Sequence, residues 1–221
     1  MSAIRAATWN VRGIQAGIAA VAAVIRAQEA EVVLVQESGP RPRLRSLGAT
    51  LGMEVAADPF AFPRRRAKDA VLVRPPRRIH WHRQIRFRGG SLLYPRGALM
   101  ARLDDLTAVS VHLGLNGAER REHVAQLLAA LRDEPGPILL GGDLNAHPWD
   151  PAAAAIAVAY PDVWEAGGVG DGPTMPAEDP SARIDFLFAE PTVRPLRVWT
   201  VPTNASDHLM VVADLEITRS R

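Results

Sequence analysis

Two short and almost purely apolar runs constrain the fold of this chain more than any other feature of its sequence. Residues 31–36 read EVVLVQ and residues 137–142 read PILLGG, with no regular alternation of apolar and polar side chains. A strand without that alternation is buried on both faces, as in a sheet that other layers cover. We therefore expect an α/β protein whose sheets lie inside the molecule.

The rest of the chain alternates between strand patterns and helix patterns. Apolar residues from Ile14 to Ile25 recur at helical spacing, and Asn116 and Glu119 stand at the N-cap and N3 positions of a second helix. Further strands are predicted at residues 4–11, 70–73, 79–88, 97–103, 107–113, 183–189, 193–201 and 209–217. Because some strands follow one another without a helix, we expect a mixed α/β sandwich, in one domain over residues 1–221.

Composition excludes several classes of protein. The chain has 221 residues, 48% of them hydrophobic, and no cysteine, which excludes a disulfide scaffold, a thiolate metal site and a cysteine nucleophile. The longest apolar runs, 17–25 and 152–160, are too short to cross a bilayer, and the first residues lack the apolar stretch of a signal peptide. We expect a cytoplasmic protein with no stable membrane insertion.

Positive charge is concentrated in one stretch, although the net charge is only +2. From Arg64 to Arg88 the chain carries nine arginines and the only lysine, Lys68, against the single acid Asp69. One interpretation is a solvated protein face. The other is a surface that binds phosphate through its field and through bidentate hydrogen bonds. The sequence alone leaves both open.

Polar residues of four types stand at the ends of the predicted strands. They are Asn10, Glu37, His112, Asp143, Asn145, Asp185, Asp207 and His208. Any one of them is explained by a turn or a helix cap. Together they supply hard oxygen ligands and imidazoles at one sheet edge, which suits Mg²⁺ or Mn²⁺ better than Zn²⁺. Such a site with few carboxylates commonly shares its cation with substrate phosphate, which indicates phosphoester chemistry.

Five motifs in order give the chain a resemblance to a known family. They are Thr8-Trp9-Asn10-Val11-Arg12-Gly13, Gln36-Glu37, Gly142-Asp143-Leu144-Asn145, Arg183-Ile184-Asp185-Phe186 and Ser206-Asp207-His208. With these motifs the sequence resembles the endonuclease/exonuclease/phosphatase superfamily, which has the DNase I-like fold. The resemblance implies a four-layered α/β sandwich, with two mixed β-sheets packed face to face and helices outside. It also implies hydrolysis of a phosphoester with the help of a divalent metal.

The same resemblance implies which residues hold the metal. Glu37 would be the main ligand of Mg²⁺ or Mn²⁺, and Asn10 and Asp207 would complete or polarise the metal shell. Whether one ion or two bind stays open.

It also implies the roles of the catalytic residues. Asp143 would orient and activate the attacking water, Asn145 would bind the phosphoryl oxygens, and His112 would contact the phosphate or the leaving oxygen. His208, held by Asp185, would stabilise the charge that develops in the transition state. Arg96 and Thr174 are further candidates for binding the substrate or its phosphate.

The motifs do not choose the substrate, because the shared core serves several phosphoester classes. We expect a phosphodiesterase or nuclease that acts on nucleic acid or on a nucleotide by in-line attack of an activated water. The alternative is a phosphatase of a small or lipid phosphomonoester, and a more remote one is an inactive binding module on the same fold. The loop 167–180 is acidic and rich in Gly and Pro, which is unfavourable for binding a polyanion. The arginine stretch is favourable for binding one. No protein partner is predicted.

Overall fold

The computed structural model describes residues 2–60, 67–90 and 94–218. Its strands are β1 Ser2–Asn10, β2 Val32–Gln36, β3 Glu54–Ala57, β4 Ala70–Val73, β5 Trp81–Arg86, β6 Gly97–Arg102, β7 Thr107–His112, β8 Ile138–Asp143, β9 Asp185–Ala189, β10 Val193–Val201 and β11 Met210–Ile217. Its helices are α1 Ile18–Gln28, α2 Arg41–Leu51, α3 Gly117–Leu131, α4 Pro151–Ala159 and α5 Val163–Gly167. Among these helices, none combines the length and the apolar character needed to cross a membrane.

The strands form two mixed sheets. One has the order β10-β11-β1-β2-β4-β3 and the other the order β5-β6-β7-β8-β9. A core of side chains from both sheets, including Leu34, Leu99 and Leu139, lies between them. A second core joins the first sheet to α1 and α2, and a third joins the second sheet to α3 and α4. The structure therefore has four layers, helix, sheet, sheet and helix, which confirms the predicted fold class.

Strand β2 shows why its apolar run has no polar alternation. All five of its residues are buried. Val32 and Leu34 face the core between the sheets, whereas Val33 and Val35 face the helices α1 and α2. Both faces of the strand must be apolar, because successive side chains point to opposite faces and both faces are covered.

The first predicted helix begins later than its apolar pattern indicates. Ile14 is buried in a 3₁₀ turn over Arg12–Ile14, and α1 begins only at Ile18. Gly13 and Gly17 have φ values of 67° and 93°, in the region that glycine tolerates and an α-helix excludes. The helical spacing from Ile14 onward therefore predicted the helix correctly but placed its start too early. In contrast, the cap of α3 is confirmed, since Asn116 accepts a hydrogen bond of 2.9 Å from the Glu119 amide.

No helix or strand was predicted for residues 41–57, which form α2 and β3. Leu44, Leu47 and Leu51 are the buried face of α2, and arginines occupy much of its other face. Helix α2 ends at Gly52, which has a φ of 64°. The apolar spacing of 3 and 4 was thus present in the sequence, but charged residues surrounded it.

The topology brings the ends of six strands to one edge of the sandwich. Strands β1 and β2 are parallel, as are β7 and β8, so their carboxyl ends lie together in each sheet. Strands β9 and β11 run antiparallel to β8 and β1, so their first residues lie at the same ends. Across the second sheet His112 is in register with Asp143, and Asp143 with Asp185.

Candidate active site

Asp143 ends β8 and is almost completely buried. The Asn10 side-chain amide donates to one of its carboxylate oxygens at 3.0 Å, and the Asn145 backbone amide donates to the other at 2.9 Å. Asn10 comes from the first sheet and Asn145 from the loop after β8, so the carboxylate is held from two sides. Its orientation is therefore fixed before any substrate binds.

Two backbone features place Asp143 and Asn145. At Gly142 a Cβ atom would lie 1.8 Å from the carbonyl oxygen of Val111, so only glycine permits β7 and β8 to approach so closely. Asn145 has a φ of 48°, a conformation that Asn adopts more easily than most residues. Its side-chain amide donates to the Leu113 carbonyl at 3.1 Å, which fixes the half-buried side chain beside the site.

A buried histidine–aspartate pair faces Asp143. His208 Nδ1 lies 2.8 Å from an Asp185 oxygen, and His208 Nε2 lies 3.9 Å from Asp143 Oδ2. The hydroxyl of Thr174 accepts from the backbone amides of Ile184 and Asp185, both at 3.3 Å. Thr174 is fully buried, so its contacts support the strand that carries Asp185.

His112 lies on the other side of Asp143. Its Nε2 is 3.2 Å from Asp143 Oδ2, and a guanidinium nitrogen of Arg96 lies 2.7 Å from the same ring nitrogen. Arg96, predicted as a substrate-binding candidate, therefore reaches the site and contacts the His112 ring. The structure brings both residues to the carboxylate that the sequence motifs single out.

The charges at this site shift the acidities of its groups. Burial alone would raise the pKa of Asp143, but the charge and hydrogen bonding of His112, the charge of His208 and the Asn145 amide lower that pKa well below its usual range. Burial raises the pKa of Asp185. Burial alone would lower the pKa of His208, but its charge and hydrogen-bond interactions with Asp185 raise that pKa to about 9. At neutral pH Asp143 is therefore ionised and His208 carries a proton on each ring nitrogen.

Glu37 follows β2 in the left-handed region, with a φ of 48°, and its half-buried side chain faces a cavity of about 150 Å³. The lining of this cavity includes Lys68, Tyr94, Arg96 and His112. Within the part of the chain that the structure describes, the Glu37 carboxylate forms no hydrogen bond or ion pair, in contrast to Asp143 and Asp185. An unengaged carboxylate at this position fits a hard cation that prefers oxygen ligands.

The other two predicted metal ligands already have partners. The Asn10 side-chain oxygen accepts from the Arg12 amide at 3.0 Å, and Asp207 lies 3.3 Å from the Arg12 guanidinium. Ser206 links them, since its hydroxyl lies 2.7 Å from the Asn10 carbonyl and 3.2 Å from Asp207 Oδ1. Arg12 and Ser206 belong to the quoted motifs, but the sequence did not indicate these contacts.

A different trio forms the tightest group of metal-type ligands among the described residues. Single ligand atoms of Asp143, Asp185 and His208 all lie within 4.8 Å of one another. Two of these residues are hydrogen-bonded to each other, and Asn10 and the Asn145 amide hold the third. Among the described residues, both this trio and Glu37 therefore offer ligands for a cation.

Four of the six described arginines of the stretch form ion pairs within the protein. Arg64, Arg65 and Arg66 lie outside the described residues. The ion pairs of the described part are Arg77 with Glu31 and Asp105, Arg78 with Glu54, Arg83 with Glu134, and Arg86 with Asp58. For these arginines the structure favours the interpretation as a protein face over that of a phosphate-binding surface.

Comparison with known proteins identifies the family. The sequence profile of the Endonuclease/Exonuclease/phosphatase family matches residues 7–208. The chain belongs to this family. Its members act on phosphoester bonds, and a phosphate-containing substrate fits the family. No functionally curated protein shows significant sequence similarity to the chain.

Solved structures share the fold at low sequence identity. A family member from Bacteroides vulgatus is 20% identical, with a TM-score of 0.86 over 99% of this chain and 100% of that one. The mannosyl-6-phosphatase Bt3783 of Bacteroides thetaiotaomicron is 15% identical, with a TM-score of 0.81 over 97% and 100%. D. rerio TDP2 in complex with a single-stranded DNA product is 17% identical, with a TM-score of 0.81 over 98% and 100%. At these identities the likeness establishes the fold and leaves the substrate open.

Proposed function

We propose that this protein is a divalent-metal-dependent phosphodiesterase that acts on a nucleotide or on a nucleic-acid end by in-line attack of water. The observation that carries the proposal is the buried Asp143, held by Asn10 and the Asn145 amide and flanked by His112 and His208. Phosphoryl transfer depends on positioning and on electrostatic stabilisation, and this arrangement supplies both.

Each residue of the site has a role that follows from its contacts. Asp143 stays ionised and accepts a hydrogen bond from the attacking water, which orients the water toward phosphorus. His208 holds two protons, donates one to Asp185 and presents the other to a phosphoryl oxygen. Asn145 and His112, on either side of Asp143, bind the remaining phosphoryl oxygens.

A divalent cation completes the proposed site. Glu37 would hold it, with Asn10 and Asp207 as further oxygen donors, and the bound cation would offset negative charge on the phosphoester. Glu37 fits because its carboxylate has no protein partner in the described chain, and Mg²⁺ or Mn²⁺ fits because the donors are oxygens. Arg12 would have to release part of its contact with Asp207 for that residue to take part.

The pairing of the arginines limits the size of the substrate. A long duplex needs many free cations along its phosphates. Arg77, Arg83 and Arg86 are instead bound to acids of the protein. A nucleotide or a strand end requires fewer cations, and Lys68 and Arg96 line the cavity beside Glu37.

One observation favours a second candidate, a phosphatase of a small or lipid phosphomonoester. The cavity beside Glu37 places Lys68, Arg96 and His112 around a space of about 150 Å³, which suits a terminal phosphate. The predicted inactive binding module has less support, since Asp143, His112, Asp185 and His208 are all assembled.

A substrate panel after removal of metal by EDTA tests the proposal. Single- and double-stranded DNA, RNA, nucleotides, phosphomonoesters and a chromogenic diester are compared with Mg²⁺, with Mn²⁺ and without metal. Asp143→Asn should lower kcat/KM by about 100-fold or more, because an oriented acceptor for the water is lost. Asp104→Asn, at an exposed carboxylate in the turn after β6, is the matched control. Equal rates for Asp143→Asn and the control would refute the proposed site.

A further inference from the structure

A pocket of about 420 Å³ adjoins the candidate site and has no role in the chemistry described above. Three of its lining residues lie next to catalytic or supporting residues in the chain: His147 two residues after Asn145, Pro173 directly before Thr174, and Arg183 two residues before Asp185. Two residues of chain span at most about 7 Å. The pocket therefore adjoins the segments that carry Asn145, Thr174 and Asp185, and its volume is in the range of small-ligand sites.

An exposed aromatic stack forms one wall of the pocket. The rings of His147 and Trp149 are stacked with centroids 4.5 Å apart and planes inclined by 4°. Trp149 is 78% exposed, which is unusual for so large an apolar side chain. The stack orders the Trp149 ring while leaving much of it open to solvent. The exposed part of this ring can stack with a flat ring of a ligand.

A second tryptophan of the lining, Trp164, is held rigidly by the protein. Trp164 is 9% exposed, and its indole N–H donates to the Gly170 carbonyl at 2.9 Å. Gly172 has a φ of 61°, and a Cβ atom there would lie 2.3 Å from the Trp164 ring. The loop over residues 168–172 is thus folded closely against this ring, and the pocket is built by the fold.

The charges of the lining are unfavourable for a phosphate as the occupant. Arg183 is already paired, at 2.9 Å with Asp162 and at 2.7 Å with Glu165, and Asp171 adds a further carboxylate to the rim. These acids would repel an anion. An uncharged ring with hydrogen-bonding edges suits this lining.

We propose that this pocket binds the nucleobase of the substrate, with the base stacked on Trp149 and its phosphate directed toward Asp143. The inference rests on the proposed function, whose substrate class it narrows to nucleotides and nucleotide ends. Base stacking on an aromatic side chain tolerates any base. The carboxylates of Glu165 and Asp171 are acceptors for exocyclic amino groups.

Calorimetric binding in EDTA, where no turnover occurs, tests the inference. Adenosine 5′-monophosphate is compared with ribose 5-phosphate, which lacks the base, and with mannose 6-phosphate. The wild-type protein should bind the nucleotide at least about 10-fold more tightly than ribose 5-phosphate. Trp149→Ala should remove this advantage and Trp149→Phe should retain most of it. Trp81→Ala, at an exposed tryptophan on β5, should keep it fully.

Three results would overturn the inference: equal affinity of the wild-type protein for the nucleotide and for ribose 5-phosphate, an unchanged nucleotide affinity in Trp149→Ala, or the same dependence on Trp149 for mannose 6-phosphate. Turnover of the chromogenic diester by the wild-type protein with Mn²⁺ separates these failures from a failure of the proposed function. Turnover without a base preference refutes only the nucleobase pocket. A base preference without turnover of any phosphoester supports the pocket and refutes the hydrolase.

Discussion

Arg77 and Arg78 are neighbours in the arginine stretch, yet the structure gives them opposite environments. The Arg77 side chain is 12% exposed and is paired with Glu31 at 3.0 Å and with Asp105, whose own side chain is 8% exposed. The Arg78 side chain is 76% exposed, and its nearest carboxylate, in Glu54, is 3.8 Å away. The matched pair Arg77→Ala and Arg78→Ala therefore separates a structural role of the stretch from a role in binding.

Arg77→Ala should destabilise the fold strongly. It removes the Arg77 cation from the buried Asp105, and removing one partner of a buried ion pair costs about 3–5 kcal/mol. Because Glu31 is partly exposed and can be hydrated, we expect a loss of about 3 kcal/mol in the free energy of unfolding. For a chain of this length that corresponds to a fall of roughly 6–12 °C in Tm. Arg78→Ala should change stability by less than about 0.5 kcal/mol, as for an exposed ion pair.

Urea unfolding at pH 7 measures the stability of both variants, and steady-state kinetics on a single-stranded oligonucleotide measures KM. Neither variant should change KM by more than about twofold. The Arg77 side chain is bound to acids of the protein, and the Arg78 side chain is exposed to solvent, so we expect neither to bind the substrate. The reasoning is refuted if Arg77→Ala unfolds at the wild-type urea concentration while KM rises. That result would show that the stretch binds the polyanion and that its ion pairs are incidental.

Further predictions concern the support of the site. Thr174→Val should cost about 1–3 kcal/mol in unfolding free energy, because the buried Asp185 amide and the part-buried Ile184 amide lose their acceptor, and Thr174→Ser should restore it. Gly142→Ala should abolish turnover and lower Tm, since its Cβ would overlap the Val111 carbonyl oxygen. Burial lowers the pKa of His123 below 6.5, so the unfolded state binds the proton more readily. Stability should therefore fall as the pH drops below about 6.5, and His123→Gln should flatten this dependence in urea titrations.

The sequence was sufficient where one local pattern decides the structure. The run VVLVQ predicted a strand covered on both faces, and the structure confirms it. The motif positions predicted that Asn10, Asp143 and His208 would meet, and their side chains do so. Both predictions depend on local sequence patterns. One pattern is the apolar run of a single strand, and the other is the type of residue at the end of a strand.

The sequence was insufficient where two residues that form an ion pair are far apart in the chain. Arg86 pairs with Asp58 and Arg83 with Glu134, and no local pattern joins these residues. The interpretation of the stretch as a phosphate-binding surface rested on its charge alone. The sequence does not show which acids pair with its arginines. Trp149 was missed as well, because an exposed tryptophan after a strand has no periodicity to mark it.

The two sides of Asp143 differ in charge, and this difference sets how a substrate can lie. On the His112 side, the cations Lys68 and Arg96 line a cavity together with the acids Glu37 and Asp69, so a phosphate finds two cations there. On the side of Asn145, the aromatic pocket is bordered by acids and its arginine is already paired. A polyanion extending through both sides would place phosphates against Asp171 and Glu165. A ligand with one charged end and one flat, uncharged end satisfies both sides, so the charge distribution favours a nucleotide-sized substrate over a long strand.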